Sequence, residues 1–173
     1  MDIYVLQVIA GKEKQALKCL ETLAEKSGKE NHIFFPRREL TQRKSGRRYR
    51  KIQPLFPGYL FLETPKLNND FIHDAVHLPQ VIHFLPKTRG IIPISREDAE
   101  RLKPFLKGSG LTKLVNIHFD ENDRIVILEG PLKGQEGLIV KVDRRRRRMR
   151  VRLNLYDKGH LVDFGYQDLG KAP

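Results

Sequence analysis

The sequence predicts an α+β N-terminal domain followed by a small all-β barrel of the SH3-like type. In the first part, short β-rich apolar runs alternate with segments whose apolar residues recur at helical spacing. From Val115 onward, short strand-like segments and glycine turns follow one another without a helical pattern. The first pattern is typical of a mainly antiparallel four-stranded sheet with flanking helices, and the second of a small barrel. We expect domains at residues 1–107 and 117–173, joined by a flexible linker at 108–116.

The elements of the first domain follow from their apolar patterns and their ends. Residues 3–9 are β-rich and almost all apolar, which predicts a buried strand that ends at Gly11. Residues 13–26 carry alanines and leucines at helical spacing and are followed by Gly28, a residue type favoured just after a helix. The other predicted elements are strands at residues 32–36 and 81–85, a helix at 67–78 capped by Asn68 or Asn69, and a helix that Ser95 caps and that ends at residue 106.

A compact apolar stretch, PLFPGYLFLE at residues 54–63, lies at the centre of this domain. Its unbroken apolar run predicts a strand buried on both faces. Pro57 has no amide hydrogen to donate, so the regular strand is expected at residues 59–62, after an irregular entry. The aromatic residues at this entry have two interpretations. They fill the core, or Phe56 and Tyr59 form an exposed patch that docks a partner.

A basic segment at residues 37–51 comes immediately before this stretch. It contains eight arginines and lysines and a single acidic residue, Glu39. The pair Ser45 and Gly46 signals a turn in its middle, so we expect a basic hairpin between two strands. Because like charges repel one another, this charge density indicates a polyanion nearby. The candidate hairpin residues are Arg43, Lys44, Arg47, Arg48 and Arg50.

A second basic site is predicted in the C-terminal domain, where five arginines occur in succession at residues 144–148. The strand that follows alternates, with Met149, Val151, Leu153 and Leu155 on one face and arginines on the other. A charge run is often only a solvated face. Here the charges have one sign and continue along a strand, which favours nucleic-acid contact. The candidate RNA-binding residues are Lys141, Arg144, Arg145, Arg146, Arg147, Arg148, Arg150 and Arg152.

The composition fits such a partner. The formal net charge of +12 favours nucleic acid or another polyanion, and the scarcity of aromatic residues near the arginines favours structured RNA over stacked single strands. The single cysteine, Cys19, excludes an internal disulfide framework and is consistent with a reducing cytoplasm. Neither a signal peptide nor an apolar run of about 18 residues is visible. We expect a cytoplasmic protein without a membrane segment.

Catalysis is not predicted, since no set of nucleophile, base and orienting group is visible. Cys19 lacks a neighbour that would activate its thiol. His73 and His77 stand four residues apart, the spacing of zinc-binding histidines on a helix, with Asp74 where zinc proteases carry glutamate. Their face lies away from the apolar stripe, which favours a solvated surface. A metallohydrolase is the least favoured alternative, and we expect no metal and no cofactor.

Together these motifs resemble the NusG family of transcription elongation factors. The opening YVLQVIAGKEKQA is similar to the first strand and helix of the family's N-terminal domain, called NGN, and LFPGYLFLE matches its FPGY strand. NDRIVILEGPLKGQEGLIVKVD resembles the KOW motif, in which glycines permit the turns of a small barrel. The resemblance spans essentially the whole chain. The sequence departs from the family pattern at Ile3, where the family often has tryptophan, and at Asn122, where KOW domains usually have glycine.

The resemblance implies partners and a mechanism. The NGN domain of this family binds the clamp helices of RNA polymerase through an apolar depression, which here would include Phe56, Tyr59 and Gln7. The basic hairpin would lie near upstream or non-template DNA. The arginine-rich KOW loop is similar to that of LoaP, a specialised antiterminator that joins polymerase to a hairpin in nascent RNA. A monomer that tethers polymerase to RNA and promotes terminator readthrough is therefore implied.

Two further alternatives stay open. One is a general NusG protein whose KOW domain binds Rho or the ribosome. The other is a ribosome-associated structural protein, because KOW barrels also occur in ribosomal proteins.

Overall fold

The computed structural model describes residues 1–28 and 30–170, which fall into two compact units. The first combines Met1–Pro36 with Phe56–Leu106, and the second combines Arg37–Leu55 with Lys107–Pro173. In chain order the elements are β1 (Asp2–Val8), α1 (Glu13–Ser27), β2 (His32–Phe34), β3 (Arg37–Lys44), β4 (Arg47–Pro54), β5 (Tyr59–Thr64), α2 (Asn69–Val76), β6 (Val81–Phe84), α3 (Arg96–Leu106), β7 (Leu111–Thr112), β8 (Val115–Phe119), β9 (Ile125–Ile127), a 3-10 turn (Glu136–Leu138), β10 (Ile139–Asp143), β11 (Arg148–Leu155) and β12 (Lys158–Asp168).

The sheet of the first unit has four strands in the order β2-β5-β1-β6, and all neighbouring strands run antiparallel. This confirms the predicted α+β architecture. Because side chains alternate along a strand, Tyr4, Leu6 and Val8 share one face of β1. They belong to one buried cluster whose other members come mainly from α1, β5, α2 and β6 and include Ala16, Leu20, Leu60, Leu62, Phe71, Ala75, Val81 and Phe84.

Side-chain and backbone caps set the ends of the helices, as the sequence predicts. The Asn68 side chain accepts a hydrogen bond of 2.7 Å from the Asp70 N–H, so α2 starts after it rather than at residue 67. Ser95 Oγ accepts from the Asp98 N–H at 3.1 Å and caps α3. Gly28 is the C-cap of α1, with φ of 141°, and its N–H donates to the carbonyl of Ala24.

The second unit contains a curled five-stranded sheet in the order β10-β11-β12-β8-β9. Strands β12 and β8 pair in parallel, and the other neighbours are antiparallel. The predicted alternation along β11 is confirmed, because Met149, Val151, Leu153 and Leu155 are all buried. The final strand is one long element rather than one or two short strands, since β12 pairs with β11 along the whole length of β11.

The basic hairpin and the predicted linker both contribute to a second sheet of this unit. The hairpin strands β3 and β4 pair as expected, and β7 adds to β3 in parallel, giving the order β4-β3-β7. The predicted linker at residues 108–116 thus carries regular structure in its second half. Buried Thr112 and Val115 are the physical reason, since they fill the core of the unit. The glycines and serine just before them had indicated only flexibility.

Candidate nucleic-acid interface and docking face

The residues of the predicted docking patch lie next to one another on the sheet of the first unit. Gln7 on β1 is opposite Tyr59 on β5 and opposite His83 on β6, so the three form a row across the sheet. All three are half-buried. Burial lowers the pKa of His83, with the nearby Lys87 charge as a smaller cause, and so disfavours the charged imidazolium.

Phe56 does not lie on the surface. Its side chain is 3% exposed, and its ring centroid is 5.6 Å from that of Phe61 and 6.5 Å from that of Tyr59. Of the two interpretations of the aromatic residues at this entry, the core is therefore correct for Phe56, and an exposed position is wrong. The ring packs in the core beside Phe61 and stacks on the inner side of the Tyr59 ring. The role of Phe56, Tyr59 and Gln7 in binding a partner stays a prediction.

A buried carboxylate fixes the irregular entry to this face. Glu13, at the start of α1, is 4% exposed. Its Oε1 accepts a hydrogen bond from the Gly58 N–H, and its Oε2 accepts one from the Gly11 N–H, both at 2.9 Å. Gly58 has φ of 80°, and a Cβ there would lie 3.2 Å from the Val8 carbonyl oxygen. Glu13 thus holds the turn that delivers Tyr59 to the sheet, a role that the sequence did not reveal.

The candidate hairpin residues are exposed and lie at the free end of β3 and β4. Arg43 is opposite Arg48, and Lys44 is opposite Arg47 at the tip. The turn between them uses Ser45 and Gly46, with φ of 52° and 76°, as a two-residue hairpin turn requires. Arg50 differs from the other candidate hairpin residues because it has an acidic partner: its Nη1 lies 3.9 Å from Glu39 Oε2.

The base of the hairpin packs closely on the curled sheet of the same unit. A Cβ built on Gly165 of β12 would lie 2.9 Å from the Glu39 carbonyl oxygen and 3.3 Å from Leu40 Cα, so only glycine fits. Glu39 Oε2 also accepts a hydrogen bond of 3.2 Å from the Leu114 N–H. Gly165 is the strand partner of Arg148. The hairpin is therefore held beside the arginine run.

The arginine run forms the turn between β10 and β11. The Asp143 side chain accepts a hydrogen bond of 3.0 Å from the Arg146 N–H, and Arg147 adopts a positive φ of 53°. Arg144 pairs with Asp123 at 2.7 Å, and its guanidinium lies 4.0 Å from the centre of the Phe119 ring. This turn has a defined backbone, and its first arginine is already engaged within the protein.

The arginines of β11 differ in how far their charge is neutralised. Arg150 donates from Nε and Nη2 to the two carboxylate oxygens of Asp163, at 2.8 and 3.3 Å. This hydrogen bonding lowers the pKa of Asp163. Lys141 is opposite Arg150, as predicted if β10 and β11 pair, and it is exposed, as is Arg152.

The hairpin and the arginine turn share one cleft of about 580 Å³ in the second unit. The sequence had presented them as separate sites. Thr41 and Gln42, which also line the cleft, carry no sequence signal that marks them. The lining residues are Thr41, Gln42, Arg43, Arg48, Arg145, Arg146, Arg147 and Arg148.

His73 and His77, the histidine pair of the sequence, are both exposed at the C-terminal end of α2. The rings of His73 and His77 are 4.4 Å apart, and His77 Nδ1 lies 2.6 Å from the His73 carbonyl oxygen, to which it donates. Within residues 1–28 and 30–170, no group of three or more metal-ligating side chains occurs. Across the same residues, every helix is too short or too polar to span a bilayer.

Comparison with known proteins agrees with this architecture. The family described as "Transcription termination factor nusG" matches residues 1–103, and the KOW motif matches residues 121–153. Proteins named "Transcription termination/antitermination protein NusG" from Xylella fastidiosa (strain 9a5c) and Pasteurella multocida (strain Pm70) are each 23% identical to this chain. Both alignments cover 98% of this chain, and they cover 98% and 94% of the relatives.

A solved structure, described as "Domain interaction in Thermotoga maritima NusG", shares the fold. It aligns with a TM-score of 0.56 at 22% sequence identity and covers 95% of this chain and 93% of that one.

Proposed function

The chain belongs to the NusG family, and on that premise we propose that it binds RNA polymerase through its first unit. The second unit binds nascent RNA through an arginine-rich face, which consists of the arginine turn and the outward-facing arginines of β11. The protein is a NusG-type transcription termination/antitermination factor. In the proposed mode it acts as an antiterminator of the LoaP type, which joins the polymerase to a structured RNA element and promotes readthrough of terminators.

The arginine-rich face is the observation that carries the RNA-binding proposal. Arg145, Arg147 and Arg152 are exposed, and in the described part of the chain none of them forms an ion pair. The buried alternate residues of β11 fix the strand that carries Arg152. Arginine side chains held in this way can each donate two parallel hydrogen bonds to a phosphate group.

The row of Gln7, Tyr59 and His83 supports the polymerase-docking proposal. It offers a half-buried surface with an aromatic ring that stacks on the buried ring of Phe56. An amphipathic ring of this kind supplies contact area at a low entropic cost. The partner would be the clamp helices, which the resemblance of LFPGYLFLE to the family's strand implies.

The proposed mechanism is tethering without catalysis. Two contacts on one chain turn the second binding event into an intramolecular one, which raises the effective concentration of the RNA element at the polymerase. No cofactor takes part, and the protein acts as a monomer in the cytoplasm. The basic hairpin would lie near upstream or non-template DNA when the first unit is docked.

A second candidate is a general NusG-type factor whose KOW domain binds a protein such as Rho or a ribosomal protein. Exposed apolar side chains in the second unit favour it, since Val140 is 51% and Leu161 54% exposed. A KOW-containing ribosome-associated protein would share this feature. Binding of an RNA stem-loop with high affinity in the absence of other proteins distinguishes the first proposal from the general factor. Stable co-sedimentation with ribosomal subunits in high salt would identify the ribosome-associated protein.

Co-elution with bacterial RNA polymerase on size exclusion tests the docking proposal. We expect the full chain to co-elute and a Tyr59→Ser variant to lose most of this binding. A Val76→Ser variant is the matched control, because Val76 is an exposed apolar residue on α2. Thermal melts must first show that both variants fold. Equal binding by all three proteins would refute the proposed face, and the absence of co-elution at low salt would refute polymerase binding itself.

A further inference from the structure

The cleft between the basic hairpin and the arginine turn has an unusual charge. Six arginines line it, together with the neutral side chains of Thr41 and Gln42, and one of the six, Arg146, pairs with Asp143 at 3.9 Å. Like charges gathered in one cleft repel one another, so their proximity lowers the stability of the protein without a ligand. The Nε of Arg148 is also buried without a hydrogen-bond partner among the described residues. A bound anion would relieve the repulsion between the arginines.

Structural contacts hold the two walls of this cleft in place. Arg37 N–H donates to the Gly110 carbonyl oxygen at 2.8 Å, and β7 extends the hairpin sheet. Gly165 brings the backbone of β12 against Glu39 and Leu40. On the other wall, Asp143 orders the arginine turn. The backbone segments that carry the two sets of arginines are thus fixed before binding, which reduces the entropic cost of binding a ligand across them.

The charge extends beyond the cleft in both directions, which indicates a long ligand rather than a small anion. Along β11 it continues to Arg152, and along β4 it continues to Arg50, which shares the face of Arg48 and lies 3.9 Å from Glu39 Oε2. A single phosphate or a mononucleotide would leave these charges unused. A nucleic-acid backbone, which repeats its phosphates at regular intervals, would use the cleft and its extensions together.

We propose that the Arg43–Arg48 pair of the hairpin and the arginine turn at residues 144–148 form one composite site for a single RNA backbone. The inference rests on the proposed RNA binding of the second unit. It differs from that proposal by assigning the hairpin pair to the RNA ligand instead of to DNA. RNA is the favoured nucleic acid because the polar side chains of Thr41 and Gln42 line the cleft and can hydrogen-bond to a ribose 2′-hydroxyl, which DNA lacks.

Two neighbouring pairs of the hairpin provide a matched test. Arg43 and Arg48 line the cleft, whereas Lys44 and Arg47, the next pair toward the tip, do not. All four side chains are exposed, so Arg43→Gln with Arg48→Gln and Lys44→Gln with Arg47→Gln remove the same charge from the same element. A third variant, Arg145→Gln with Arg147→Gln, reports on the opposite wall.

The experiment measures binding of the full-length variants to a fluorescent RNA stem-loop longer than one helical turn, over a range of salt concentrations. A DNA stem-loop of the same sequence is the second probe, and circular dichroism confirms the fold. We expect the 43/48 and 145/147 variants each to lower the slope of log Kd against log salt by about 1.4 to 1.8, the contribution of two phosphate contacts. The 44/47 variant should change the slope by much less.

The outcomes separate this inference from the proposed function. If only the 145/147 variant lowers the slope, RNA binding stands and the composite site is refuted. The composite site is also refuted if the 43/48 and 44/47 variants lower the slope equally. The hairpin would then contribute only its net positive charge and not two specific phosphate contacts. Tighter binding of the DNA stem-loop would refute RNA as the ligand of the cleft. If the wild-type chain does not bind RNA, or the 145/147 variant binds with an unchanged slope, the proposed function itself fails.

Discussion

Glu13 and Gly58 are joined by a buried hydrogen bond of 2.9 Å, in which the carboxylate of the first helix accepts the backbone N–H of the turn before β5. A charged acceptor is among the stronger hydrogen-bonding groups in proteins, and a buried N–H left without a partner is costly. The bond therefore couples the start of α1 to the position of Tyr59.

Removing this acceptor should destabilise the protein. We expect Glu13→Ala to lower the free energy of unfolding by about 2 kcal/mol, because the amides of Gly58 and Gly11 both lose their partner. Urea denaturation measures the effect. Glu25→Ala, at an exposed position of the same helix, is the control and should change stability by less than about 0.5 kcal/mol. Equal stability of the two variants would contradict the assigned role of Glu13.

Adding one methyl group at Gly165 should also destabilise the protein. In Gly165→Ala the new Cβ would meet the Glu39 carbonyl oxygen at 2.9 Å, so the hairpin must move away from β12. Overpacking of this kind costs about 1 to 3 kcal/mol. Gly137→Ala is the control, since its Cβ would meet no atom within 4 Å. A stable Gly165→Ala variant that matches the control would show that this contact is not tight.

The ion pair of Arg150 and Asp163 should make stability depend on pH. Hydrogen bonding to Arg150 lowers the pKa of Asp163 in the folded state below its ordinary value of 3.8. A lowered carboxylate pKa stabilises the fold above the unfolded pKa, and this stabilisation is lost as the pH falls through the folded value. We expect Asp163→Asn to remove part of the acid-induced loss of stability below about pH 4. Denaturation at several pH values would detect this change, with Asp157→Asn as an exposed control. If the stability profiles of Asp163→Asn and the wild type ran parallel with pH, the ion pair would not contribute to the pH dependence of stability.

Neutralising the arginine turn should weaken RNA binding in a salt-dependent way. Replacing Arg145, Arg146 and Arg147 with alanine should flatten the salt slope by about 2.1 to 2.7, if each contacts one phosphate. The control replaces three exposed lysines of α1, Lys14, Lys18 and Lys26, and removes the same charge from the other unit. An unchanged slope in the arginine variant, measured by fluorescence anisotropy, would remove these residues from the RNA site.

Local signals in the sequence were sufficient for most elements. Ser45 and Gly46 marked the hairpin turn, and the alternation from Met149 to Leu155 marked the buried face of β11. Each signal depends on residues within a few positions of one another, and the structure confirms both. The charges of the hairpin and of the arginine run were equally visible.

Contacts between distant segments were not predictable in the same way. Nothing near Gly165 shows that it must lie against Glu39, and nothing near residues 37–55 shows that they group with the C-terminal part of the chain. The burial of Phe56 depends on the ring of Phe61, which lies across an irregular turn. Apolar periodicity gives the face of an element, but it does not identify the element that covers this face.

The discontinuity of the second unit has a consequence for evolution and for protein engineering. The chain leaves the first unit after residue 36, returns at 56 and leaves again after 106, so the two units are interleaved in sequence. A recombination event or chimera that exchanges only residues 107–173 would set a foreign C-terminal half against the native hairpin. The exchange would also remove Gly165, which packs against β3 of the hairpin. Specificity should therefore be inherited through two segments that change together, residues 37–55 and the C-terminal half.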